Sequence, residues 1–183
     1  MKYQKFSKFI LLGSLYTSQY IPVMFLYQAL PVFLRQQGAS LESISLINLI
    51  ALPLMFKFVL APFIDSFSIA RWGHYRFWII SLQITVAMLT AICAFLDITN
   101  NITLTIVVLF GMILFSSTQD IATDALAVNL LKPEERGLGN AIQTGGNYLG
   151  AIIGGGGILI LLGKFGWRAS LLFMSVVMLL SLI

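Results

Sequence analysis

Charge is what this sequence has least of. Only 10% of its 183 residues are Asp, Glu, Lys or Arg, whereas 58% are hydrophobic. Soluble domains carry about 25% charged residues, so a water-facing surface cannot be assembled from this inventory. Lipid is the solvent it implies. Cysteine is nearly absent, and Cys93 alone excludes an intrachain disulfide framework. It lies in an apolar run and reads as packing. The single histidine, His74, sits in a connecting segment, which argues against a histidine-based triad or a zinc site. A Walker A motif is also missing, so ATP is not the direct driver and no cofactor is implied. The formal charge is only +4, with no basic cluster interleaved with aromatics, which argues against a nucleic-acid partner.

What is present is a series of long apolar runs. A spanning helix needs about 20 mostly apolar residues. Six segments meet that length or approach it: 9–34, 44–64, 77–96, 102–128, 138–162 and 167–183. The fold class they imply is an all-α, multi-pass membrane bundle. The connections are short and polar, which makes consecutive helices antiparallel neighbours. Lys2, Lys5 and Lys8 precede the first run as they would in a signal peptide, but that run is too long and lacks a small-residue cleavage site. It reads as a helix that is retained. The chain is still apolar at Ile183, which reads as truncation in or at the end of a span.

Lys and Arg asymmetry sets the orientation. A cytoplasmic N-terminus puts Lys2, Lys5, Lys8, Arg71, Arg76, Lys132 and Arg136 inside, and Arg35, Lys164 and Arg168 outside. Seven against three favours that orientation, in the cytoplasmic (inner) membrane. Asn101-Ile102-Thr103 fits a glycosylation sequon, but it abuts a helix in a very short outer segment and reads as chance.

Three charged residues lie deep in the spans. A Lys or Asp at a helix centre costs roughly 2.5–3.5 kcal/mol on insertion scales, so each needs a cavity or a partner. Asp120 and Asp124 are four residues apart and share a face with Ser116; Gln119 and Thr123 broaden the polar stripe. The stripe reads either as a solute or proton pathway or, for Asp124 above all, as an anchor reaching cytoplasmic water. Lys57 lies eight residues before Asp65, about two turns from the inner surface. It either snorkels or pairs with an acid of similar depth, of which Asp120 is the candidate. A coupled Lys–Asp pair would serve as a proton switch.

The first helix carries Gln19 at mid-span, several tyrosines, and Pro22 and Pro31, which interrupt the backbone ladder. Cavity lining and plain packing are both open for this group, with Gln19 the favoured cavity residue. The fifth helix is rich in glycine. Gly146, Gly150 and Gly154 recur every fourth residue and clear one face for a neighbouring backbone. Gln143 and Asn147 share another face and can line a cavity.

Five stretches bring a family into view: Tyr16 to Pro22 with Gln28 to Pro31, Leu52 to Phe58, Ala61 to Asp65, Thr118 to Asp124, and Pro133 to Asn140 running into the glycine-rich helix. Together they resemble the major facilitator superfamily, and within it the branch holding the muropeptide permease, the acetyl-CoA transporters and a group of siderophore importers. The Thr-Gln-Asp-Ile-Ala-x-Asp stretch is the most specific part. The resemblance implies a fold of two six-helix halves around a central cavity with alternating access. This chain supplies the N-terminal half, and its partners are the lipid bilayer, a small-molecule substrate and a C-terminal six-helix half. The resemblance places helices one and four along the cavity, which fits Gln19 and Asp120, and with the readings above the cavity and coupling candidates are Gln19, Lys57, Gln119, Asp120, Asp124, Gln143 and Asn147.

The resemblance also implies a cytoplasmic charge latch of Asp65, Arg76 and Arg136. Asp65, Gly73 and Arg76 match the family's inner-loop motif, but Ala61 replaces its leading glycine, and His74 and Tyr75 stand where basic residues are usual. On the fifth helix Asn147-Tyr148 replaces the Tyr-Arg of many relatives. Losing that cation weakens the case for an anionic muropeptide or CoA-like substrate, and the run from Gly137 to Gln143 looks closer to the siderophore importers. The implied function is secondary transport of a siderophore or a peptide- or muropeptide-like solute, not enzymatic catalysis.

Two other readings stand beside it. Asp120 and Asp124 resemble the Mg²⁺-binding acidic motif of intramembrane prenyltransferases. Ser116 stands where those enzymes carry Asn, and a second acidic motif is missing from the 183 residues. A membrane scaffold that associates through its glycine face is the third reading.

Overall fold

The computed structural model describes residues 2–66, 73–98 and 102–182, all but the short connections helical. Arg71 and Asn101 lie outside the described residues, as does Ile183. Among the described residues six helical elements follow one another, α1 (2–36), α2 (41–66), α3 (74–93), α4 (102–130), α5 (136–165) and α6 (167–180).

The first element is one rod rather than a kinked pair. Lys2–Met24 passes through a π turn at Phe25–Ala29 into Leu30–Gln36. The wide turn lies immediately before Pro31, where the Leu30 N–H donates to the Phe25 carbonyl five residues back. A proline has no N–H and its ring crowds the carbonyl four residues earlier, so widening the preceding turn removes the conflict without a sharp bend.

The second element differs most from the expected single span over 44–64. It is broken into Leu41–Leu46, a 3₁₀ stretch at Ile47–Ala51, Leu52–Met55 and Lys57–Ser66. The last two meet at Phe56, whose backbone is non-helical, and the axis turns by 51° there. Pro53 and Pro62 flank the break. Each removes a ladder donor, so a straight helix would leave carbonyls unmade on both sides. The break makes Lys57 the first residue of a new helix.

The expected outer loop between the fifth and sixth spans shrinks to one residue. The apolar helical stretch Pro133–Leu180 is 48 residues long. At 1.5 Å per residue that is about 70 Å, more than twice a hydrocarbon core of about 30 Å. Gly166 divides it, with φ +76° and ψ −179° inside an otherwise helical run. A side chain there would be strained, so glycine is what lets the chain reverse. Trp167 follows at once. Its ring stacks on Phe33, 5.4 Å between centroids, and its Nε1–H donates to the Cys93 carbonyl at 2.9 Å. One side chain thereby fastens α6 to the C-terminal ends of α1 and α3.

Contacts give the directions of the helices. Tyr16 meets Asp124 and Gln19 meets Asp120, so α1 and α4 run antiparallel. Thr90 meets Met112 and Gln119 meets Gln83, so α3 and α4 do too. Cys93 faces Trp167, Ala87 faces Ser175 and Gln83 faces Met178, which sets α6 antiparallel to α3. Along α5, Gly146, Gly150 and Gly154 meet residues 13–17, 17–21 and 21 of α1 in rising order, so this pair is parallel. Large apolar side chains such as Met55, Phe58, Met88, Val107 and Ile160 are more than half exposed on the flanks. Such a surface is wrong for water and right for lipid.

Without a hydrophobic drive between helices in lipid, close backbone approach supplies much of the packing. A Cβ on Gly150 would lie 2.6 Å from the Thr17 carbonyl oxygen, and one on Gly154 would collide with that of Ile21. Gly145, one residue from Gly146, has open space around it. Gly150→Ala should therefore destabilise the protein by about 1–3 kcal/mol, whereas Gly145→Ala should be neutral or stabilising by up to about 1 kcal/mol. Thermal unfolding of both variants in one detergent checks this; equal melting temperatures would contradict the packing described.

Candidate functional site

A cavity of about 360 Å³ opens between α1, α2, α4 and α5. Its wall holds Gln19, Lys57, Asp120, Asp124, Gln143 and Asn147, six of the seven residues expected to line a solute path, with Tyr20, Tyr27, Leu54, Ser116 and Ser117 beside them.

Asp120 is the hub. Its Oδ2 lies 2.6 Å from the Lys57 ammonium, and its Oδ1 accepts from Gln19 Nε2 at 2.7 Å. The Ser116 hydroxyl, one turn away on the same face, donates to the Gln19 backbone carbonyl at 2.9 Å. One carboxylate thus ties α2 and α1 to α4. Lys57 does not run out to the interface: it ends on this carboxylate, with its side chain 43% exposed against 27% for Asp120. That partial exposure leaves the pair in contact with whatever fills the cavity. The broken α2 explains the geometry, because Lys57 starts a helix at the cavity edge.

Asp124 forms a second, separate cluster. Its Oδ1 accepts from the Tyr16 hydroxyl and from Gln143 Nε2, each at 3.0 Å. Asp124 and Gln143 also line a further cavity of about 360 Å³, toward Arg136, Gly139 and Asn140. The Tyr16–Asp124–Gln143 cluster therefore stands between two chambers, a feature missed at the sequence level because tyrosine in a span reads first as an interfacial aromatic.

Gln119 is not on the cavity wall. It is 1% exposed and turned toward α3, where its Nε2 donates to Gln83 Oε1; Gln83 Nε2 in turn donates to the Met178 carbonyl at 2.6 Å. Gln119 lies about 100° around the helix from Asp120, so the broad stripe in the sequence reaches past the cavity wall to the α3 contact. Thr17 and Ser18 are also absent from this cavity wall and donate to their own helix at the Gly13 and Leu15 carbonyls.

The expected charge latch takes another form. Among the described residues no ion pair joins Asp65 to Arg76 or Arg136. Asp65 accepts from the Tyr75 hydroxyl at 3.3 Å, and Arg136 borders the second cavity. An ion pair at this end of the bundle joins Lys8 to Glu135 and ties the start of α1 to the turn before α5. Glu135 also accepts from the Lys132 N–H at 3.1 Å. The two carboxylates of the prenyltransferase-like reading both border the cavity, and each is engaged by different protein donors.

Comparison with known proteins adds to this geometry. The family model described as Major Facilitator Superfamily matches residues 12–183. The chain is similar to an uncharacterised protein of Haemophilus influenzae, 30% identical over 87% of this chain and 37% of that protein. It is similar to the anhydromuropeptide permease of Escherichia coli, 28% identical over 81% of this chain and 30% of the permease. A Rickettsia prowazekii protein named transporter AmpG 3 is 32% identical over 78% of this chain and 35% of its own length. The chain thus spans about a third of the length of these relatives.

The placement of Gln119 has a measurable consequence. Gln119→Leu leaves Gln83 with an unmade buried hydrogen bond and should cost about 1–3 kcal/mol, yet leave solute affinity within about twofold of wild type. Gln143→Leu, on the cavity wall, should change affinity. Calorimetric melting and equilibrium binding on the same preparations separate the two; a large affinity loss in Gln119→Leu at unchanged stability would contradict the assignment.

Proposed function

The chain belongs to the Major Facilitator Superfamily, and on that premise we propose that it is the leading six-helix part of a secondary transporter that moves a small organic solute across the cytoplasmic membrane by alternating access. The observation that carries the reading is the Lys57–Asp120–Gln19 cluster on a cavity between helices. A charged pair placed mid-bundle is costly to keep, and a solute or ion path is what such residues ordinarily serve.

The solute is muropeptide-like. Similarity to the anhydromuropeptide permease supports this choice over a siderophore. Transport is driven by the proton gradient: protonating Asp120 releases Lys57 and loosens α2 from α4, and solute binding biases which state is populated. A second six-helix half closes the cavity on its open side, and the N-terminus is cytoplasmic. The enzyme reading has less support, because Asp120 and Asp124 are each engaged by their own set of protein donors.

Uptake of labelled anhydromuropeptide, with a hydroxamate siderophore as comparison, tests this in cells lacking their own importers. Wild-type protein should accumulate the muropeptide, with uptake falling as external pH rises and collapsing with a protonophore. Asp120→Asn and Lys57→Ala should reduce accumulation at least about tenfold, a loss of about 1.4 kcal/mol or more. Accumulation of neither compound, or unchanged coupling in both variants, would contradict the proposal.

A further inference from the structure

Two buried oxygens on the cavity wall lack partners. Gln19 Oε1 and Asn147 Oδ1 are both enclosed and make no hydrogen bond, and both residues line the 360 Å³ chamber. Buried polar atoms are nearly always paired, and each exception calls for an explanation. Chemistry fixes the orientation of Gln19. Its neighbour Asp120, ionised against Lys57, can only accept, so the Gln19 NH₂ must face the carboxylate. The carbonyl oxygen is then forced to the other side, and Gln19 is 4% exposed, so it does not escape to bulk water.

Charge points the same way. The wall carries two carboxylates, Asp120 and Asp124, against one ammonium, Lys57, and that ammonium is already committed to Asp120. An incoming anion finds no free cation here. An incoming N–H or O–H finds two acceptors waiting, one from α1 and one from α5.

Resting on the transporter reading, we propose that the carbonyl oxygens of Gln19 and Asn147 form an acceptor subsite for uncharged donor groups of the solute, the amide N–H or hydroxyl groups of a glycopeptide-like molecule. The same carboxylate that pairs with Lys57 holds Gln19 in its accepting orientation. In the solute-free state both oxygens are closed to water, so solute reaches them with some movement of side chains in the cavity wall.

The test is binding to the full-length protein in nanodiscs, read separately from uptake into vesicles. The probes are an anhydromuropeptide and analogues in which one amide N–H at a time is replaced by an ester oxygen, or one hydroxyl by hydrogen. These changes delete a donor without adding bulk. At least one analogue should bind about tenfold or more weakly to wild type, and Asn147→Leu should weaken the parent probe by a similar factor. For the analogue that lost the matching donor, Asn147→Leu should cost little further, because the two losses describe one contact. Equal binding of every analogue, losses that multiply independently, or no binding of the parent probe would overturn the subsite. Should Asn147→Leu not fold, the wild-type analogue series alone decides. Donor discrimination without uptake would leave the subsite standing and overturn the transport reading; uptake without discrimination would do the reverse.

Discussion

One carboxylate organises the inner face of this bundle. Asp120 projects from the longest uninterrupted helix and takes Lys57 from α2 and Gln19 from α1 on its two oxygens. The pair sits at a break in α2, where Phe56 leaves helical geometry and the axis turns by 51°. Without that turn Lys57 would continue a straight helix rather than open a new one at the cavity edge. Asp120 is therefore a tie among three helices, holding a charged partner on one oxygen and an amide on the other.

The rest of the bundle provides a frame for that tie. Helices α3, α4 and α6 are joined by side chains bonded to backbone across helices, Gln83 to Met178 and Ser175 to Ala87, with Gln119 on Gln83. Helices α1 and α5 approach through glycine, and their two π turns, Phe25–Ala29 and Ile152–Gly157, abut where Gly155 meets Gln28. Hydrogen bonds across helices resist sliding, whereas a glycine face has few interlocking side chains to resist it. The cavity lies along the boundary between these two kinds of packing.

Much of this was legible in the residues. Apolar runs marked where helices lie but not their ends: α1 begins at Lys2 rather than 9, α5 at Arg136 rather than 138, and the expected span over 44–64 is broken into pieces. Depth alone matched Lys57 with Asp120, since only residues at equal depth can pair across a membrane bundle. Gln119 was misplaced because a stripe of polar residues at 116, 119, 120, 123 and 124 spans two helix faces, and the choice between them depends on neighbours. The latch was misread for a similar reason: Asp65 finds a tyrosine, while Lys8 and Glu135, 127 positions apart, carry no local signature of their contact. The α2 break was not anticipated in the expected single span over 44–64, although Pro53 and Pro62 lie within it.

The pairing of Lys57 with Asp120 is the claim on which the account turns, and exchanging their charges tests it most directly. Lys57→Asp alone and Asp120→Lys alone each place two like charges against one another and should abolish solute accumulation. The exchanged protein, carrying both substitutions, restores an opposite pair across the same gap and should recover binding and a measurable part of uptake. An exchanged protein no better than either single variant, or single variants as active as wild type, would contradict it.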